Sequence, residues 1–148
     1  MDERKDTGGA GRSAAAGAAA TLVWAALEPV DRRVFACDYS DVAVLGKAVT
    51  RGRGWLPAGL ALHAANGAVF GLAYHAVRRR TRMPPTRLGV GLAFAEHLAL
   101  YPLSYVVDRR HPRRGERGVP ALLRNRRAFG QATVRHALFG ALLGRWAG

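Results

Sequence analysis

Apolar and polar positions in this chain segregate into long blocks instead of following one helical or strand period throughout. Four apolar stretches, 13–28, 55–77, 88–107 and 128–146, alternate with connections that collect the charge. The third, LGVGLAFAEHLALYPLSYVV, matches the roughly 20 residues that a helix needs to cross about 30 Å of hydrocarbon. The second, WLPAGLALHAANGAVFGLAYHAV, holds no formal charge with its histidines neutral. It starts at Trp55 and nears its end at Tyr74, as interfacial aromatics do. Arg78, Arg79 and Arg80 stop it, and Pro84-Pro85 turns the chain back, which predicts an antiparallel hairpin of the second and third spans. The first span is Ala-rich and ends at Glu28-Pro29, where proline closes a helix. Its charged start and small residues also fit a secretory signal peptide, but acids in the tail and three further apolar blocks favour an uncleaved span. The fourth closes on Arg145 and Trp146 at the interface. Residues 41–49, DVAVLGKAV, have helical spacing and are too short to span. They predict a helix in the headgroup plane or against the bundle, with Asp41 as its cap. Residues 1–12 are charged and Gly-rich, which predicts a disordered tail. The predicted fold is all-α, an integral membrane four-helix bundle with basic loops.

The net charge of +13 changes the picture only in part. Strong basicity also suits nucleic-acid binding, but here the basic residues bound long apolar runs, so anionic lipid headgroups are the simpler partner. Arg135 is the basic residue deepest in an apolar block; snorkelling to the interface, or pairing with Glu96 or Asp108, is expected of it. Cys37 is the single cysteine, which excludes an intrachain disulfide and a Cys-rich metal site. The chain ends and the loop between the second and third spans carry nine Lys and Arg, and the other two loops carry thirteen. That bias places the thirteen in the cytoplasm and both termini outside. Nucleophile-elbow and phosphate-loop motifs are absent from the sequence, so no hydrolase, kinase or nucleotide-binding chemistry is indicated.

Within the spans, polar residues fall at similar depth. Counted at 1.5 Å per residue from the side of the 41–49 segment, His63, Asn66, Glu96, His97 and His136 all lie about 10–15 Å in, with Glu28 at that surface. Gly59, His63, Gly67 and Tyr74 share a face of the second span, and His136 and Gly140 share one of the fourth. Gly67 and Gly71, like Gly140 and Gly144, have the four-residue spacing of close helix crossings. A buried carboxylate such as Glu96 needs a partner. Three chemistries fit: a structural Glu/His network that fixes helix register, a metal or haem site (zinc or iron) using His63, Glu96 and His136, or a proton or small-solute path through Glu96 and a histidine. Dimerisation through the glycine faces is also open. His75 and His111 are expected to be solvated.

The elements ATLVWAALEPVDRR, HAANGAVFGLAYHAV, AEHLALYPLSYVVDRRHP and FGQATVRHALFGALLG, in this order over roughly Ala20 to Gly144, resemble a group of small, uncharacterised bacterial membrane proteins with four spans. His63, Asn66, Glu96, Pro102, Asp108 and His136 stand where that group's pattern has them. The resemblance implies a fold and a location in the bacterial inner membrane. It implies no activity.

Overall fold

The structure, a computed structural model, describes residues 3–50 and 52–148, with side chains from residue 8 onward. Among the described residues it is all helical, without strands. Helix α1 runs Glu3–Val34, α2 Asp41–Val49, α3 Trp55–Arg78, α4 Pro85–Leu100, α5 Ser104–Arg110 and α6 Arg126–Ala147. A single 3-10 turn over Tyr101–Leu103 joins α4 to α5, so the third apolar block breaks at Pro102. Three helical stretches are long and apolar enough to cross a membrane: Gly8–Val34, Trp55–Arg78 and Pro85–Arg110. Helix α6 is as long as a span but more polar, because it carries Gln131, Arg135 and His136 inside its apolar positions.

Backbone contact through glycine decides which helices pair. At Gly67 an added Cβ would lie 2.5 Å from the Gly17 carbonyl oxygen and 2.6 Å from the Thr21 side chain, so α1 and α3 touch backbone to backbone. Gly71 meets the Ser13 carbonyl at the same crossing. Gly140 stands against Gly89 and Gly144 against Pro85, which joins α4 to α6, while Gly59 meets Val42 and joins α3 to α2. The two helix pairs are locked together where α1 crosses α6, around Trp24 and Phe139.

Several expectations are corrected here. The second and third spans run antiparallel but scarcely pack on each other; α3 lies on α1 and α2, and α4 lies on α6. Their main tie is near the turn, where the Tyr74 hydroxyl donates to the Pro85 carbonyl at 3.3 Å. The first span does not stop at Pro29: α1 continues to Val34 with the proline inside it, because Asp31 beyond it is gripped by α6. Nor is the N-terminal segment a disordered tail over residues 3–12, which are helical. Arg12 Nε donates to the Trp146 carbonyl at 3.1 Å, and the His75 ring closes over Gly9. Residues 1 and 2 lie outside the described residues. Finally, Ser40, not Asp41, caps α2, its hydroxyl accepting from the Ala43 N–H at 3.0 Å.

Candidate functional site

The gap left between α3 and α4 is a cavity of about 620 Å³, walled by all the long helices and closed at one end by α2. Its walls are mainly apolar and aromatic. Into them are set His63 and Asn66 from α3, Glu96 and His97 from α4, His136 from α6, Ser104 from α5 and Trp24 from α1, with Tyr39 and Asp41 at the closed end. Five of the six residues expected to form a polar cluster thus line one cavity; Glu28 is outside it. Mostly apolar walls with a few convergent polar groups are the usual composition of a small-molecule site.

The histidines are arranged around Trp24. Its ring meets His63 edge-on at 5.1 Å between centroids and His136 at 4.9 Å. His136 also lies 4.6 Å from His97, whose ring stacks obliquely near Phe129. The His136 Nδ1–H donates to the Ala132 carbonyl at 2.7 Å, which leaves Nε2 facing Glu96 Oε2 at 3.9 Å. His97 Nε2 contacts the Thr133 hydroxyl at 3.1 Å. The buried face of α4 therefore runs through Gly89, Ala93 and His97, and Glu96 sits at its edge, its side chain 23% exposed in the cavity wall.

Three buried polar atoms of this wall have no hydrogen-bond partner: Trp24 Nε1, His63 Nε2 and Ser104 Oγ. Their residues are 5%, 4% and 9% exposed. These atoms are sealed by packed side chains and are not open to the cavity; leaving such a group unpaired costs about 1–3 kcal/mol.

Behind the closed end lies a second polar assembly that hydropathy reading missed. Arg135, expected to snorkel or to pair with Glu96 or Asp108, is 2% exposed. Its guanidinium donates from Nε to Asp31 Oδ2 at 2.5 Å, from Nη2 to Asp31 Oδ1 at 2.6 Å and from Nη1 to Asp41 Oδ2 at 2.8 Å. Glu28 lies 3.6 Å away and accepts from the Ser40 hydroxyl at 2.5 Å and the Asp41 N–H at 3.0 Å. Gln131 Nε2 adds a bond to Asp31 at 2.6 Å. Asp41 links the two sites, because its carboxylate holds Arg135 and the residue is part of the cavity lining. Burial opposes its charge, but Arg135, supported by His63, the Tyr39 hydroxyl and His136, outweighs burial and holds the pKa below the ordinary Asp value. For Tyr39, burial and then Asp41 push the phenol well above its usual range, so it stays a donor to Asp41 Oδ1, at 2.5 Å. The signals in the sequence were Glu28 and Asp31 one helical turn apart and a lone arginine deep in an apolar block.

The loops are fixed from the same end. His111, expected in solvent, is 8% exposed; its Nε2–H donates to the Val44 carbonyl at 2.9 Å and its Nδ1 accepts from the Arg113 N–H. Asp108 accepts from the Leu122 and Leu123 N–H groups, both at 2.8 Å. Of the expected interfacial residues, Trp55 starts α3 on the α2 side, while Arg78, Arg79, Arg80, Arg145 and Trp146 lie at the opposite end with the termini.

The proposed metal ligands His63, Glu96 and His136 do not form a ligand group; the two histidine rings each pack edge-on against Trp24. Among the described residues no three His, Cys, Asp or Glu side chains gather to hold a metal ion. Compared with known protein families, curated proteins and solved structures, the chain matches none.

Proposed function

We propose that this chain is a four-span membrane protein, of the bacterial inner membrane, that holds a small molecule non-covalently in the cavity and performs no catalysis. Three helices of spanning length and apolarity support membrane residence. The fourth crossing is α6, whose polar groups are turned into the protein instead of toward lipid. Its basic loops lie against anionic headgroups. The observation that carries the binding reading is the cavity of about 620 Å³, whose mainly apolar walls include His63, Asn66, Glu96, His97 and His136.

The Glu/His row is then binding wall and register device at once. Glu96 Oε2 lies 3.9 Å from His136 Nε2 across α4 and α6, and an acid in lipid needs such polar neighbours.

Solvent extraction of the detergent-purified protein, followed by mass spectrometry, tests this. A near-stoichiometric small molecule is expected from wild type and not from the Trp24→Phe/His63→Leu double variant. An empty wild-type extract, together with Glu96→Gln and His136→Ala variants that lose only thermal stability, leaves the polar row as a register device and sinks the binding reading.

A further inference from the structure

The geometry points to an organic cation as the occupant of the cavity, a primary or secondary amine held as its ammonium between Glu96 and His136, with an apolar body along the remaining walls. This rests on the binding reading above and adds the chemical class.

The charge follows from Glu96. It stands within the stretch Pro85–Arg110, which is long and apolar enough to span a membrane, and an acid there must find its counter-charge in the protein or in something the protein holds. Unlike the sealed atoms of the wall, it is open: it lines the cavity with its side chain 23% exposed. Among the described residues it accepts no hydrogen bond, and its ion-pair neighbour, His136 Nε2, is 3.9 Å away, too far for one. The chain has 23 Lys and Arg, yet among the described residues none lines this cavity. Asp41, the other acid of the lining, already has Arg135 and the Tyr39 hydroxyl. Glu96 is the anion left without an answering cation, and an anionic occupant would find none either.

The head group follows from His136. Its Nδ1–H is committed to the Ala132 carbonyl, so the neutral ring turns a lone pair at Nε2 toward Glu96 Oε2. Two acceptors then face each other across 3.9 Å with no donor between them. The His136 side chain is 15% exposed in the same wall, so the gap is reached from the cavity. An ammonium nitrogen that donates to both, over about 2.8 Å each, fits such a gap. Two N–H groups on one nitrogen are needed, which a primary or secondary ammonium has and a quaternary one lacks. The rest of the cavity, lined by Leu62, Phe70, Leu103 and Phe139, takes the apolar body.

Equilibrium dialysis of the full chain in phosphatidylcholine nanodiscs, against empty nanodiscs, tests the assignment with three probes that share a naphthylpropyl body: the primary amine, its trimethylammonium analogue and the alcohol. At neutral pH the amine is expected to bind one to one and about tenfold more tightly than either of the others, the worth of one hydrogen bond to a charged group. Glu96→Gln should bring the amine down to the level of the alcohol, and Leu72→Ala, outside the cavity, should leave its binding unchanged. The comparison of the three probes in wild type needs no variant, so it is decisive even where Glu96→Gln fails to fold. Alcohol bound as tightly as amine would mean that Glu96 carries its own proton, and overturns the assignment. Amine binding that a folded Glu96→Gln leaves intact, equal binding of the trimethylammonium probe, or no saturable uptake of any probe overturns it as well. If extraction of wild type still yields a stoichiometric ligand in that event, the class fails while the binding reading stands.

Discussion

Arg135 keeps a full charge at 2% exposure because four of its five N–H groups donate to oxygens of Asp31, Asp41 and Tyr39 and the Glu28 carboxylate stands 3.6 Å from Nη1. A buried ion pair contributes little net stability relative to apolar residues, but removing one partner leaves the others stranded. Arg135→Met should therefore destabilise the protein by about 3–5 kcal/mol, read as a lower melting temperature in detergent. Asp41 gives the assembly a pH dependence of known sign. Its folded pKa lies below the ordinary value of about 3.9, so its contribution is present above that value and is lost as pH falls through the folded pKa. Wild type should lose stability on acidification below about pH 4, and Asp41→Asn should be flatter there while less stable at neutral pH. A melting series from pH 7 to pH 3 in which the two curves stay parallel would contradict this. Little of this cluster was legible beforehand. A proline normally ends a helix, which leaves Asp31 outside the first span, and a lone arginine in an apolar block normally snorkels. Both rules describe an isolated helix, and each gives way to the pairing of two elements that lie far apart in sequence.

Helix faces were easier to read than helix partners. The spacing of Gly67 with Gly71 and of Gly140 with Gly144 marks surfaces where backbones can meet, and these residues sit at the α1/α3 and α4/α6 crossings. Periodicity does not say which helix arrives there, and chain order suggested the wrong pairing for α3 and α4. The same limit applies to α4 itself. Glu96 and His97 are adjacent, so their phases differ by a single residue, and only the packing of Gly89 against α6 shows that His97 takes the interior and Glu96 the cavity edge. Two glycines of similar appearance separate packing from propensity. An added Cβ at Gly140 would lie 2.5 Å from the Gly89 carbonyl oxygen and 2.7 Å from the Val90 Cα. Gly140→Ala must push α4 away and should cost about 1–3 kcal/mol. Gly91 has nothing within 4 Å of such a Cβ, so Gly91→Ala should be neutral or stabilise by up to about 1 kcal/mol through helix propensity. Parallel unfolding curves of the two variants decide it, and equal losses would mean that α4 and α6 do not cross at Gly140.

For the whole molecule, the packing of α6 predicts a fourth crossing. Helix α6 is too polar to count as a span by composition, yet it runs antiparallel to α4, with Gly140 on Gly89 and Gly144 on Pro85. Its last turn reaches the first third of α1, where Arg12 Nε donates to the Trp146 carbonyl. If α1, α3 and α4–α5 cross the bilayer, α6 must return with them, and both termini lie on one face. With that arrangement the Lys and Arg count, thirteen against nine, predicts that the α2 side faces the cytoplasm. Single cysteines in a Cys37→Ser background make both statements measurable with a membrane-impermeant maleimide. Gly148→Cys should be labelled in intact cells, and Arg114→Cys only after permeabilisation. The opposite result would invert the orientation and keep four crossings. Labelling of both from the same side would mean that α6 does not cross, and the cavity that His136 helps to wall would then have no place inside a bilayer.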